Sequence, residues 1–239
     1  MKIVIQGITG RMGQKMAEIL KDKGHTLAAG ICIEGPLYAL KDYTGEADLV
    51  IDFSNHSGTV PLLEECRRRK LPVVIATTGH TPEEKAAIEA AAREIPVFFS
   101  YNMSIGVALL CRFAREAAQR FPDADIEIVE AHHNRKLDVP SGTARLLADA
   151  IKEARPEAEY VIGRHENGLR RKQEIGIHSL RIGNEVGTHE VIVATGAETI
   201  TLKHEAGDRS LFAEGALAAA EFLEGKPAGL YTMQDLMEK

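Results

Sequence analysis

Apolar runs alternate with amphipathic stretches along the first hundred residues of the chain. Short runs of consecutive apolar residues are typical of buried strands, and apolar positions spaced three and four apart are typical of helices. We predict strands at residues 2–6, 26–33, 48–53, 71–76 and 95–100. We predict helices at residues 11–21, 59–70 and 81–94. Strands that alternate with helices predict an α/β fold with a Rossmann-like, doubly wound parallel sheet.

The pattern changes after residue 103. We predict a helix, a strand, a loop and a second helix at residues 105–120, 125–130, 132–140 and 143–154. Polar and apolar residues then alternate, which predicts antiparallel strands at 176–181, 190–194 and 199–204, before a last helix at 211–223. We therefore expect a dinucleotide-binding domain of residues 1–103 plus 209–239. A second α+β domain of residues 104–208, with a mixed or antiparallel sheet, would bind substrate and mediate oligomerisation.

Composition narrows the possible partners. The chain has 239 residues, of which 44% are hydrophobic and 27% charged, and its formal net charge is −6. The negative charge argues against a nucleic-acid partner, and the basic run 67–70 is better explained as the charged end of a helix. No apolar run reaches the roughly 18 residues that cross a membrane. Three widely spaced cysteines without a metal-binding pattern indicate reduced thiols in a cytoplasmic protein.

A glycine-rich turn, Gly7 to Gly13, lies between the first predicted strand and helix. A dinucleotide pyrophosphate binds at such a turn, on free amides and the positive end of the helix dipole. The spacing is G-x-x-G-x-x-G, with Thr9 where the usual fingerprint has its second glycine, so a tight turn without a ligand is the alternative. An acidic residue about 20 positions on normally binds the ribose. Glu34 has this spacing, but an exposed turn residue is an equally good interpretation.

The segment 130–143 contains the residues best suited to catalysis. His132 and His133 follow a strand, and a histidine exchanges protons near neutral pH. Lys136 can donate a proton, and the amides of Gly142 and Thr143 at a helix start can bind a carboxylate. These features predict a small carboxylated substrate that must be protonated. Other interpretations stay open: Ser141 as a helix cap, surface histidines, or a Ser–His–Asp triad. We expect no metal site, because no H-E-x-x-H motif is present.

These residues resemble the signature of the dihydrodipicolinate reductase (4-hydroxy-tetrahydrodipicolinate reductase) family. The resemblance rests on Glu130-Ala131-His132-His133, Lys136, Asp138 and Pro140-Ser141-Gly142-Thr143-Ala144. Supporting matches lie at residues 7–13, 52–54, 77–79, 102–106, 176–181 and 212–216. The resemblance implies reduction of a cyclic unsaturated imine dicarboxylate by NADH and/or NADPH, with loss of water, in lysine and diaminopimelate biosynthesis. It also implies a homotetramer built through the second sheet, and closure of the two domains.

The resemblance also implies roles for particular residues. His132 would donate or accept a proton and Lys136 would donate one. Residues that would hold the substrate carboxylates are His133, Gly142 and Thr143, with Ser141 and Thr78. Residues that would bind the cofactor are Gly7, Ile8, Thr9, Gly10, Arg11, Met12, Ala76, Thr77, Thr78, Ser100, Tyr101, Asn102 and Met103.

Two positions depart from the family pattern. Ala76 stands where the loop often begins with glycine, and Cys32 stands where an acidic side chain would bind the ribose. A cysteine cannot accept two ribose hydroxyls as a carboxylate does, nor does it repel a 2′-phosphate. We therefore expect weak discrimination between the cofactors, or a preference for NADPH. The alternative functions are another Rossmann-fold reductase, acting on an aspartate-like carbonyl or imine, and a non-enzymatic NAD-binding regulator.

Overall fold

A computed structural model describes residues 1–238 of the chain. The strands are β1 (Lys2–Gln6), β2 (Thr26–Ile31), β3 (Leu49–Asp52), β4 (Val73–Ile75), β5 (Pro96–Phe99), β6 (Asp125–His132), β7 (Glu159–Ile162), β8 (Glu174–Arg181), β9 (Thr188–Ala194), β10 (Thr199–Glu205) and β11 (Gly229–Tyr231). The α-helices are α1 (Arg11–Asp22), α2 (Thr59–Arg69), α3 (Pro82–Ala92), α4 (Ile105–Arg120), α5 (Gly142–Ala154), α6 (Ser210–Leu223) and α7 (Met233–Met237). None of the helices within residues 1–238 is long and apolar enough to cross a membrane.

The chain divides into two compact units. The first unit is Met1–Ile105 together with the segment that begins at Arg209, and the second is Gly106–Asp208. Helix α6 belongs to the first unit, where it packs against α1. The side chains of His25 and Glu221 form a hydrogen bond between the α1–β2 turn and α6.

The first unit contains a six-stranded parallel sheet with the order β11-β5-β4-β3-β1-β2. Strands β3 and β4 are buried along their whole length, as expected for a parallel sheet covered on both faces. Helix α3 begins with a capped first turn, where the Thr81 hydroxyl accepts from the Glu84 amide and Pro82 occupies the first turn. The predicted Rossmann-like parallel sheet is confirmed.

Two elements of the first unit, β11 and α7, were not predicted. Strand β11 has only three residues and pairs in parallel with β5. Helix α7 has five residues. Neither is long enough to show a period in the sequence. Strand β11 forms because it pairs with β5, and helix α7 because it packs on α6.

The second unit contains a mixed five-stranded sheet with the order β10-β9-β6-β8-β7. The strands β9 and β10 are antiparallel, as predicted. The strand predicted at residues 176–181 is present as β8, but its predicted antiparallel direction was wrong, because β8 runs parallel to both β6 and β7. Alternation in the sequence shows that one face of a strand is buried, but not the direction of its neighbours. The long connection through α5 allows a parallel crossover. Strand β7, which was not predicted, lies at the sheet edge, with two exposed and two half-buried residues.

Helices α4 and α5 pack on one face of this sheet and form its core with Ile126, Ile128 and Val191. Side chains alternate along β6, so Ile126, Ile128, Glu130 and His132 share the buried face. The carboxylate of Glu130 and the imidazole of His132 therefore lie at the carboxyl end of β6, next to the hydrophobic core.

Candidate active site

The glycine turn depends on the absence of side chains. Gly7 has a φ of 85°, and a Cβ there would lie 2.8 Å from the backbone of Phe53. A Cβ on Gly13 would lie 2.2 Å from the Gly7 carbonyl oxygen. These two glycines let the turn pack against the end of β3 and let α1 start directly on the turn.

The first turn of α1 fits a pyrophosphate group. Gly10 is the N-cap and provides no side chain to the first amides of the helix, and the first turn carries no acidic side chain. Free amides and an uncompensated positive dipole end favour a bound anion. Thr9, at the place of the missing glycine, is exposed, and its carbonyl accepts from the Gln14 side chain at 3.3 Å. The departure from the fingerprint therefore leaves the turn open to solvent.

Cys32 directly follows β2 at the carboxyl edge of the first sheet. It is half-buried, and its amide donates to the Leu37 carbonyl at 3.0 Å. A Cβ on Gly35 would lie 2.6 Å from the Cys32 sulfur, so the turn folds over the thiol. Glu34 is exposed within that turn.

The other residues predicted to bind cofactor lie in the loops after β4 and β5, at the same edge of the sheet as the glycine turn. Thr77 is buried, and its hydroxyl donates to the Asp52 carbonyl at 3.3 Å, whereas Thr78 is exposed. The Ser100 hydroxyl donates to the Asn102 carbonyl at 2.7 Å. Tyr101 is exposed and packs edge-to-face on Phe99. Carboxyl ends of parallel strands are where open α/β sheets bind ligands.

His132, the last residue of β6, is buried and contacts the carboxylate of Glu130. Its Nδ1 lies 2.5 Å from Oε2 of Glu130. The two terminal nitrogens of Arg181 donate to the two carboxylate oxygens of Glu130, at 3.0 and 2.9 Å. Burial by itself would raise the pKa of Glu130, but the hydrogen bonds from His132 and Arg181 outweigh it and hold that pKa at about 2. Glu130 is therefore ionised at neutral pH.

His189 lies beside His132 because of strand register. Glu130 is paired with His189 across β6 and β9, which puts both side chains on the buried face. The His132 and His189 rings meet edge-to-face with centroids 5.1 Å apart. Burial is the main cause that lowers the pKa of His189 to about 3. His189 is therefore neutral at pH 7.

Lys136 lies on the loop between β6 and α5, and its Nζ forms an ion pair with Asp138 at 3.0 Å. The ammonium-bearing side chain is 22% exposed, whereas the Asp138 side chain is 58% exposed. The loop is fixed to the turn after β8, since the His133 amide donates to the Glu185 carbonyl at 2.8 Å. A terminal nitrogen of Arg181 also donates to the Asp138 carbonyl at 2.6 Å.

The N-terminus of α5 combines a capped turn with an open surface. Ser141 is buried and its hydroxyl accepts from the Ala144 amide at 3.1 Å, so the cap interpretation is confirmed. The same hydroxyl lies 3.2 Å from Nε2 of His189. Gly142 is exposed and Thr143 is half-buried, and the first turn carries no acidic side chain. These residues leave the positive end of the helix accessible to an anion.

The sequence placed Glu130 and Arg181 in segments that match the family but gave neither a role in holding His132, and it did not single out His189. The role of Glu130 could have been found, because a residue two positions before His132 on a strand shares its face. Arg181 and His189 come from other strands, and only the register of β6 with β8 and β9 places them beside His132.

Glu130, His132 and His189 place three potential metal-binding atoms within 4.8 Å of one another. The motif search did not predict this trio, because His189 is distant in sequence. The guanidinium of Arg181 already lies on both carboxylate oxygens of Glu130, and it would repel a cation and compete with it for these ligands. The geometry thus favours a charge-paired carboxylate over a metal ligand.

The basic run 67–70 is largely paired within the first unit. Arg67 and Lys70 form ion pairs with Glu94, and Arg68 pairs with Glu65. The guanidinium of Arg69 donates to the carbonyls of Tyr43 and Gly45 at 3.0 and 2.7 Å. Each of the four cationic side chains is thus held by a partner within the first unit, as expected for the charged end of a helix.

Comparison with known proteins identifies the family. A model of the dihydrodipicolinate reductase N-terminus matches residues 1–103, and a model of its C-terminus matches residues 106–237. The chain belongs to the dihydrodipicolinate reductase family. It is accordingly an NAD(P)H-dependent oxidoreductase of lysine and diaminopimelate biosynthesis.

The relatives cover the whole chain. A 4-hydroxy-tetrahydrodipicolinate reductase of Caldanaerobacter subterraneus subsp. tengcongensis is 47% identical over 100% of this chain and 98% of its own length. One from Staphylococcus aureus is 42% identical over 99% and 100%. The dipicolinate-bound dihydrodipicolinate reductase of Paenisporosarcina sp. TG-14 superposes with a TM-score of 0.78 at 24% identity over 97% of each chain, and it supports the fold.

Proposed function

We propose that this protein reduces 4-hydroxy-tetrahydrodipicolinate to tetrahydrodipicolinate and that the second unit binds this cyclic dicarboxylate. The observation that carries the proposal is the juxtaposition of three features in one unit: the buried His132, the Lys136 loop, and the exposed start of α5. A proton source beside an anion-binding helix terminus suits an acidic substrate that must lose water and gain a hydride and a proton. The bound nicotinamide cofactor supplies the hydride.

The substrate carboxylates are assigned to the N-terminus of α5 and the adjacent loop. Gly142 and Thr143 offer amides at the positive end of the helix, and His133 follows His132 directly. Ser141 is the weakest member of the predicted set, because its hydroxyl already caps the helix and faces His189. Thr78, in the first unit, is exposed and able to hydrogen-bond.

Lys136 is assigned as the proton donor and His132 as the group that exchanges or holds a proton. The Lys136 ammonium is partly buried and is paired with a more exposed carboxylate, Asp138.

The cofactor is assigned to the glycine turn and to the loops after β4 and β5. The turn provides backbone amides, and Cys32 lies where a carboxylate would select NADH. We propose weak discrimination between NADH and NADPH, or a preference for NADPH. A preference for NADH of a hundredfold in kcat/KM would contradict this assignment.

We further propose a cytoplasmic homotetramer assembled through the second sheet. The face of this sheet opposite α4 and α5 carries apolar side chains that are half-buried or exposed, including Val129, Ile192 and Leu180. Such a face is suited to pairing with a second copy. Light scattering coupled to size-exclusion chromatography distinguishes a tetramer from a monomer.

The experiment that tests the function is a coupled assay with freshly generated substrate, run with NADH and then with NADPH. Lys136→Ala should lower kcat by about 10²–10⁴-fold while the protein still binds cofactor, as judged by fluorescence titration. No turnover by the unmodified protein with either cofactor would contradict the proposed substrate. Turnover unchanged in Lys136→Ala would contradict the assigned proton donor.

A further inference from the structure

Glu130 is the most enclosed ionised group described in the second unit, and each of its oxygens is bonded. The residue is 0% exposed. Oε2 accepts from His132 and Arg181, and Oε1 accepts from Arg181 at 2.9 Å and from the Ser141 amide at 3.3 Å. A buried carboxylate with this many donors is fixed in one orientation, since rotation would break several charge-assisted bonds at once.

This orientation fixes the tautomer of His132. The carboxylate is ionised and can only accept, so the neutral ring must carry its proton on Nδ1. Nε2 is then the nitrogen left for proton exchange. A Cβ on Gly187 would lie 3.1 Å from Nε2, so the glycine leaves space beside the reactive atom. The ring of His189, which is neutral at pH 7, packs edge-to-face on the His132 ring and adds no charge beside it.

Arg181 extends the same network to Lys136. Its guanidinium donates to both oxygens of Glu130 and to the carbonyl of Asp138, and the Asp138 carboxylate pairs with Lys136. A continuous chain of contacts therefore runs from the His132 ring to the Lys136 ammonium. Arg181 also neutralises Glu130, without which a buried carboxylate would be strongly unfavourable.

We propose that Glu130 and Arg181 are positioning residues that hold His132 in its Nδ1-protonated tautomer and fix it relative to Lys136. Neither residue reaches the substrate in this role, since both act through the side chains to which they are bonded. The inference rests on the proposed function for its kinetic consequences, but the tautomer it specifies is a property of the protein alone.

The first test reads the tautomer directly by NMR in protein with ¹⁵N-labelled histidine, without substrate. In the unmodified protein the neutral His132 ring should show its proton on Nδ1. In Glu130→Gln the side-chain amide can donate to Nδ1, so the proton should move to Nε2. The matched control is Glu174→Gln, which removes another buried carboxylate of the same unit, paired with Arg164 and Arg171. The control should leave the His132 signals unchanged.

The second test is kinetic. Glu130→Gln should lower kcat by about 10–100-fold with substrate KM changed less than about threefold, the range expected when an orienting partner is lost. Glu130→Asp keeps the charge, so its kcat should be higher than that of Glu130→Gln. The decrease in log kcat should be smaller by at least about a third. Glu174→Gln should change kcat less than about twofold, because its carboxylate is bonded to arginines outside the site.

Arg181→Lys is a second variant that tests the same positioning role and serves if Glu130→Gln does not fold. A lysine keeps the charge but cannot hold two carboxylate oxygens and a carbonyl together. This variant should retain the Nδ1 tautomer and lose about 3–30-fold in kcat. Wild-type kcat in Arg181→Lys, or an Nε2-protonated His132 in the unmodified protein, would overturn the proposal. Absence of turnover in the unmodified protein, with the expected NMR result, would instead overturn the proposed function.

Discussion

The glycine turn of the first unit and the Glu130–Thr143 segment of the second unit are held together by different kinds of interaction. The turn uses backbone amides, and its defining residues, Gly7 and Gly13, matter because they lack side chains. The second segment uses side chains that are charged, buried and bonded to one another, with Glu130 at the centre. The first region should therefore be sensitive to added volume, and the second to the loss of single charges.

Gly13→Ala tests the sensitivity of the turn to volume and should have the largest effect among the glycine and cysteine substitutions. The new Cβ would lie 2.2 Å from the Gly7 carbonyl oxygen, so the backbone must shift. We expect cofactor affinity to fall by on the order of 100-fold and unfolding free energy to fall by about 1–3 kcal/mol. Titration of cofactor fluorescence and urea unfolding measure the two effects. Gly58→Ala is the control, since its Cβ would meet nothing closer than 3.4 Å.

Gly187→Ala tests whether added side-chain volume also lowers activity in the second unit. Its Cβ would lie 3.1 Å from Nε2 of His132, so the ring must move by a few tenths of an ångström. We expect kcat to fall by about tenfold, with little change in thermal stability. In Gly196→Ala the added Cβ would meet nothing within 4 Å, and it should behave like the unmodified protein. Full activity in Gly187→Ala would place the reactive nitrogen elsewhere.

Cys32→Asp introduces a charge into the region that otherwise works through its backbone. A carboxylate at the end of β2 can accept from two ribose hydroxyls and repels a 2′-phosphate. We expect the ratio of kcat/KM for NADH over NADPH to rise by about tenfold. Steady-state kinetics with both cofactors measure it, and Cys32→Ser is the matched uncharged control. An unchanged ratio would mean that Cys32 does not contact the ribose.

His189, in the second unit, should make the free energy of unfolding decrease in acid. Burial holds the pKa of His189 at about 3 in the folded protein, below the ordinary histidine value of about 6.5. The free energy of unfolding is therefore unaffected by His189 protonation above pH 6.5. As the pH falls from 6.5 toward 3, it decreases by about 1.4 kcal/mol per pH unit, because only the unfolded chain takes up the proton. His189→Gln should flatten the decline of unfolding free energy between pH 6.5 and 5. An unchanged slope would show that another buried histidine controls it.

Glu130 contributes in a different pH window. The pKa of its carboxyl is held at about 2, below the ordinary value of about 4.5, so its stabilisation is present above pH 4.5 and is lost only below it. Unfolding measured above pH 5 therefore separates the histidine from the carboxylate.

Several parts of the molecule could be predicted from the sequence because they depend on local patterns. The period of apolar residues predicted β1 to β5 and α1 to α6, and the glycine spacing predicted the turn at the start of α1. The segment 130–144 was specific enough to indicate the family. The direction of β8 could not be predicted, because alternation reports burial of one face and is the same for parallel and antiparallel neighbours.

The sequence by itself determined the family, the Rossmann-like first sheet and the segment that carries His132 and Lys136. Only the tertiary structure decided how His132 is held. Arg181 and His189 lie far from His132 along the chain, and the registers of β8 and β9 against β6 place them on its buried face. Strand register depends on the packing of whole sheets against helices, so a network that crosses three strands is not visible in any local stretch of sequence.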